Sequence, residues 1–337
     1  MSAVRPMPMP ALHWSVDYLD GSPDDALALP DTLAVIGFGS RAPVRDDPRY
    51  LRVALEPHGT APLEVWRGSG PVLRGRDGDV AWAEDGALQF GAIELDERDG
   101  EQGQSDIEST ADRLYRRLLE FLEQRGYPHL LRVWNYLDGI TIGEGDEERY
   151  RQFCVGRARG LGGHVDTQTL PAATAIGRVD GARRLQVYWL AARVPGTPLE
   201  NPRQISAYRY PRQYGPQPPS FARAMLPPVN STMPLMLSGT AAIVGHESQH
   251  AGSVVTQLDE TLANFDSLLA AARAQRPTLP AHFGPQSRLK VYVRNDDELE
   301  QVTRELDARL GPDVPRVVLH AAVCRRELRV EIDGVHA

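Results

Sequence analysis

The sequence predicts an α+β protein made of two related halves, each with β-α-β-α-β-β order and helices on one face of a mixed sheet. Three observations carry that expectation. Each half holds two helical runs set among short β-type runs. A proline-rich segment, with eight prolines between Pro198 and Pro228, lies between the halves. Matching segments recur in the same order on either side of it.

Residues 33–39, 51–56, 63–66, 80–82 and 88–95 read as short strands separated by Gly, Pro and Asp. After a polar loop over 96–105, Ile107, Ala111, Leu114, Tyr115, Leu118 and Leu122 share one helix face, and Gly126 and Pro128 end that helix. A strand over 130–137 and a helix over 147–159 follow, then a strand pair, 174–179 and 185–193, around Asp180-Gly181. In the second half, 236–244 is a strand, and Leu258, Leu262, Phe265, Leu269 and Ala272 form a helix stripe. A strand over 289–293, a helix over 296–310 and a strand pair, 316–323 and 328–335, complete it.

Leu131-Arg132-Val133-Trp134 corresponds to Leu289-Lys290-Val291-Tyr292, and Leu185-Gln186-Val187-Tyr188 to Leu328-Arg329-Val330-Glu331. Two unrelated halves that share common local order would give the same pattern. The expected organisation is a loose tail over 1–30, a first half over 31–195 and a second over 196–337. The second half carries Arg316 and Glu331 where the first has Ala172 and Tyr188. If the unit bears a site, one per chain is expected, in the second half.

Among 337 residues, 37 Lys+Arg stand against 45 Asp+Glu, for a net charge of −8. That balance, without a long basic run, argues against nucleic acid or an anionic membrane surface as partner. No apolar run approaches the roughly 18 residues of a membrane span. The opening Met-Pro alternation has no apolar core and does not read as a signal peptide. Two cysteines, Cys154 and Cys324, make no disulfide framework and point to the cytoplasm.

His246-Glu247-Ser248-Gln249-His250 fits H-E-x-x-H, which binds zinc only when a helix turns both imidazoles to one side. Flanking glycines place it in a loop between a strand and a helix, so no metal site is expected. Gly37-Phe38-Gly39-Ser40-Arg41-Ala42 resembles a dinucleotide fingerprint, but Pro43 and Pro48 forbid the helix that would face a pyrophosphate. It reads as a strand-end turn.

What remains is a set of cations and phenols: Tyr150, Arg157, Arg203, Tyr208, Tyr210, Arg212, Tyr214, Arg223 and Arg316. Arginine forks bind carboxylates bidentately, and phenols add neutral donors. Solvated loop arginines fit the same list. Strand parity puts Leu328, Val330 and Ile332 on one face and Arg329, Glu331 and Asp333 on the other. That placement alone also fits a surface position for Glu331.

The second half resembles the RidA/YjgF family of small α+β proteins, through Pro219-Ser220-Phe221-Ala222-Arg223-Ala224, Leu237-Ser238-Gly239-Thr240-Ala241 and the ending Cys324-Arg325-Arg326-Glu327-Leu328-Arg329-Val330-Glu331-Ile332. More narrowly, nearly the whole chain resembles the FkbO/Hyg-type chorismatases. The further signatures are Leu131-Arg132-Val133-Trp134-Asn135-Tyr136, Glu148-Arg149-Tyr150-Arg151-Gln152-Phe153-Cys154-Val155-Gly156-Arg157 and Tyr210-Pro211-Arg212-Gln213-Tyr214-Gly215-Pro216. The nearest likeness is to the 3-hydroxybenzoate-forming members of the xanthomonadin pigment pathway.

The resemblance implies removal of pyruvate from chorismate to leave 3-hydroxybenzoate, with 4-hydroxybenzoate as a further candidate product and no metal or organic cofactor. It implies Glu331 as general acid and Cys324 as a second catalytic group. Chorismate is a dianion, so Arg157 with Tyr150 and Arg316 with Tyr210 are expected to grip its two carboxylates. Gly239 and Cys324 fall at the two pocket positions that distinguish benzoate-forming members. RidA relatives are trimers with sites between subunits, which makes a homo-oligomer conceivable and a duplicated chain able to supply part of that contact itself. The competing expectation is a RidA-like imine deaminase or small-molecule binding protein.

Overall fold

The computed structural model describes residues 13–97, 106–162, 167–229 and 231–337. The Met-Pro opening and most of the 96–105 loop lie outside them. A four-stranded sheet comes first, ordered β1-β5-β2-β3. It comprises β1 (Ser15–Leu19), β2 (Thr32–Phe38), β3 (Tyr50–Val53) and β5 (Leu63–Arg67). The short α1 (Pro23–Leu27) joins β1 to β2, and β4 (Glu56–Pro57) leaves this sheet to extend another. The tail expected over 1–30 is therefore corrected from Trp14 onward. Trp14 and Val16 are buried in the central core, and the Tyr18 hydroxyl donates to the Leu289 carbonyl at 3.0 Å. No short-range pattern announces this, because the strand's partner β5 lies far along the chain.

The first half continues through β6 (Leu73–Asp77), β7 (Val80–Glu84), β8 (Leu88–Asp96), α2 (Ile107–Arg125), β9 (His129–Asp138), α3 (Arg149–Gly160), β10 (Ala172–Arg178) and β11 (Arg184–Ala192). The second runs through β12 (Thr197–Leu199), β13 (Ala224–Leu226), β14 (Leu235–Ala241), the hairpin β15 (Ile243–Val244) and β16 (Glu247–Ser248), and α4 (Val254–Gln275). It closes with β17 (Arg288–Val293), α5 (Leu299–Leu310), β18 (Arg316–His320) and β19 (Val330–His336).

The duplication is visible in the sheets. The first is ordered β10-β9-β11-β8-β7-β6 and the second β18-β17-β19-β14-β13-β12, with β4 added beyond β18. In each, one pair is parallel, β9 with β10 or β17 with β18, and the other pairs are antiparallel. The register supports the Glu331–Tyr188 equivalence, since Tyr188 pairs with Trp134 and Glu331 with Tyr292. It moves the counterpart of Arg316 by one residue: Ala172 pairs with Arg132 and so matches Val317, which pairs with Lys290.

Each sheet buries one face under its own helices and the other against the opposite half. Val133, Leu137 and Val187 meet α2 and α3, while Leu289, Val291, Val293 and Ile332 meet α4 and α5. Trp134, Tyr136, Tyr188, Tyr292 and Val335 fill the core between the sheets. Helix α2 starts where the Asp106 side chain accepts the Ser109 amide at 2.9 Å and ends at Gly126, whose φ of 73° suits glycine. Helix α3 lies unusually close to α2, because a Cβ at Gly156 would stand 2.0 Å from the Glu108 carbonyl oxygen.

Candidate active site

A cavity of about 490 Å³ opens at the seam between the halves, a size typical of small-molecule sites. The first half lends it Asn135, residues of α3 from Tyr150 to Arg157, and Ala173–Ala175 of β10. The second half lends Gly239, Ala241, Cys324, Arg325 and Glu331. The proline-rich linker folds back over it with Tyr210, Tyr214, Phe221 and Arg223.

Glu331 sits where strand alternation places it. Val330 and Ile332 enter the helix-side core, so Glu331 points to the other face and into the seam, 5 % exposed. Burial, and then the neighbouring Asp333 charge, push its carboxyl up to about 8 against the pull of Arg132, Arg223 and Arg325. At neutral pH it is mainly protonated. Room for it exists because residue 239 is glycine: a Cβ there would lie 2.0 Å from Glu331 Oε1. Gly239→Ala must displace the carboxyl. We expect the folded variant to lose catalytic rate on the order of 10²-fold, the scale for a reacting group moved by about 1 Å. Retention of the full rate would separate Glu331 from the chemistry.

Three guanidinium groups converge on the same space. Arg157, 5 % exposed, donates from Nη1 to the Ser220 carbonyl at 2.6 Å and lies 5.0 Å over the Tyr115 ring. Its Nε and Nη2 are buried without a well-aligned hydrogen-bond partner among the described residues. Arg223 donates from Nη2 to the Ile205 carbonyl at 2.9 Å and the Tyr210 hydroxyl at 2.7 Å, and its Nε has no hydrogen-bond partner among the described residues. Arg325 donates to the His246 carbonyl and Ser248 Oγ and lies 4.1 Å over the Tyr214 ring. Leaving buried guanidinium nitrogens unpaired is costly, so the cavity is preset for an anion. A carboxylate fits the fork geometry.

Tyr150, Arg157, Tyr210, Gly239, Cys324 and Glu331 all line this cavity. Arg316 does not, and its expected role is corrected. Its Nη1 donates to the carbonyls of Gly311 and Val314, and its Nη2 pairs with Asp307. The turn between α5 and β18 satisfies the group locally, at the far end of the strand. Arg223 and Arg325 occupy the cavity instead. Burial pushes the Cys324 thiol up, with the Glu331 charge adding to it, so it stays S–H near neutrality. At the position equivalent to Glu331, the first half has Tyr188, stacked on Trp134 at 4.5 Å.

The H-E-x-x-H residues lie on the β15–β16 hairpin, not on a helix. The Tyr214 hydroxyl is 3.2 Å from His246 Nδ1, and His250 Nε2 is 3.3 Å from Glu260. Gly37–Ala42 forms the expected strand end and turn, with no helix following.

Comparison with known proteins fits this geometry. Residues 64–191 match the family described as Chorismatase FkbO/Hyg5-like, N-terminal. A chorismatase of Streptomyces hygroscopicus is 36 % identical over 96 % of this chain and 86 % of its own length. The chain belongs to the chorismatase family. A 3-hydroxybenzoate synthase from the same organism is 33 % identical, over 81 % of this chain and 80 % of its own. A chorismatase crystal structure, 34 % identical, superposes with a TM-score of 0.81 and covers 97 % of this chain and 98 % of that one. Within this chorismatase-family chain no helix of the described residues is long and apolar enough to cross a membrane.

Proposed function

We propose that this chain cleaves the enol ether of chorismate, releasing pyruvate and leaving 3-hydroxybenzoate, with 4-hydroxybenzoate as a second product. The observation that carries this reading is the buried carboxyl of Glu331, which burial keeps protonated at neutral pH, facing a cavity in which Arg157 and Arg223 keep buried nitrogens without hydrogen-bond partners among the described residues. Arg157 beside Tyr150 holds one carboxylate of the dianion. Arg223, supported by Tyr210, holds the other.

Glu331 gives its proton to the terminal methylene carbon, which becomes the methyl group of pyruvate, and the ether oxygen shares the resulting cation. The ring C4 hydroxyl then attacks C3. The C3–O bond breaks with its electron pair, which forms the keto group of pyruvate, and the hydroxyl proton restores the acid. The ring is left as a 3,4-epoxide. Opening its C4–O bond, with loss of the C3 hydrogen as a proton, gives 3-hydroxybenzoate. Opening C3–O gives the 4-isomer. Chorismate has the composition of hydroxybenzoate plus pyruvate, so no water is consumed. Attack by water on the first cation would instead give a dihydrodiol.

Excluding that water falls to the apolar wall and to Cys324, a weak neutral donor at the ring. Cys324→Ala is expected to raise the dihydrodiol share of the products, and an unchanged product ratio would remove the thiol from the account. The reading as a whole is tested by incubating purified protein with chorismate, assaying pyruvate and separating the aromatic products. Equal amounts of pyruvate and hydroxybenzoate support it; chorismate left intact contradicts it. Two free cysteines, one buried and one partly so, support a cytoplasmic location.

A further inference from the structure

Behind Glu331 lies a charged cluster that the reaction does not touch. Asp333 is two residues along β19 on the same face and fully buried. Its Oδ2 is 3.0 Å from Arg132 Nη2, and it accepts hydrogen bonds from the Thr174 hydroxyl at 2.7 Å and the Tyr292 hydroxyl at 2.9 Å. Thr174 Oγ1 in turn accepts from Arg132 Nη2 at 2.6 Å and from the Gly239 amide at 3.0 Å. One hydroxyl thus ties the ion pair to the glycine that makes room for the acid. Arg132 and Thr174 come from the first half, Asp333 and Gly239 from the second.

We propose that the Arg132–Asp333 pair, held by Thr174, is a positioning device through which the first half sets the protonation of Glu331. The inference rests on Glu331 being the general acid. Both charges are out of solvent, so neither is screened, and they act on Glu331 with opposite sign. The other groups facing Glu331 are Arg223 from the linker, Arg325 and Cys324 from the loop before β19, Arg294 from the end of β17 and Tyr150 from α3. Lys290 stands 3.9 Å from Asp333 Oδ1, on the side away from the cavity, and is itself paired with Glu64 at 3.0 Å. Neither Arg132 nor Asp333 lines the cavity, so the pair can be changed without altering that lining.

The test is the alkaline limb of the kcat/KM profile for chorismate. Asp333→Asn removes the negative charge and leaves Arg132 uncompensated, so the limb moves to lower pH by about one unit or more. Adding Arg132→Met removes the positive charge as well, and the limb moves back up toward its original position. A purely structural role lowers activity without moving the limb in either variant. The double variant replaces a buried ion pair by neutral groups, an exchange that folds tolerate even where a broken pair is not accepted. A limb that stays in place in both variants, or a double variant lying below Asp333→Asn, overturns the proposal. If Glu331→Gln retains activity, the acid assignment fails instead, and the two failures are distinct.

Discussion

Glu331→Gln is expected to lower kcat for pyruvate release by about 10² to 10⁴-fold, the usual range for losing a general acid. Chorismate should still bind, because the arginines that hold its carboxylates are untouched. A calorimetric titration with chorismate separates the two effects. Stability should change as well, with a definite sign. The folded-state carboxyl sits at about 8 against an ordinary 4.5, so its contribution to stability is complete below pH 4.5 and is lost as pH rises through 8. Glutamine has no charge to bury. The unfolding free energy of the variant relative to its parent, read by denaturant titration, should therefore climb across that window and level off above it, by an amount on the order of a few kcal/mol. Near-normal turnover in the glutamine variant contradicts the assignment.

The second large effect is expected at Arg157. Arg157→Met should raise KM for chorismate by about 10²-fold, the scale for losing one partner of a buried charge pair, with a smaller change in kcat. The ligand-free protein should not be destabilised. Two of its guanidinium nitrogens are buried without well-aligned partners among the described residues, so the methionine removes a poorly compensated charge and keeps most of the apolar stem. A lower Tm combined with an unchanged KM would make Arg157 a structural residue and leave the carboxylate without its grip.

The sequence makes much of this legible because most of it is local. The apolar stripe of α2, its glycine stop and the alternation of Val330, Glu331 and Ile332 are short-range patterns, and each holds in the fold. The order of the repeated segments anticipates two sheets of the same strand order. The losses are where long side chains or distant segments decide. Arg316 occupies the strand start that was expected, but its guanidinium turns back to Asp307 and two carbonyls of the preceding turn, which strand parity does not specify. Arg223 is among the candidate cations without an assigned role, and Arg325 stands in a recognised motif without being singled out. Arg223 reaches the cavity because the linker returns to the first half, where the Ala222 amide bonds the Pro171 carbonyl at 3.0 Å, and Arg325 because the loop before β19 does the same, where the Gly177 amide bonds the Ala322 carbonyl at 2.7 Å. Gly239 was marked only through a resemblance; its physical reason, the Glu331 oxygen, is a contact between neighbouring strands.

The most direct measurement is an infrared titration of the carboxyl region, taken as the difference between the parent protein and Glu331→Gln. The account predicts a protonated-carboxyl band, present only in the parent, that persists through neutral pH and disappears at about 8. A band that is already gone above the ordinary 4.5 would mean that Glu331 is a carboxylate under working conditions, with no proton to deliver to carbon.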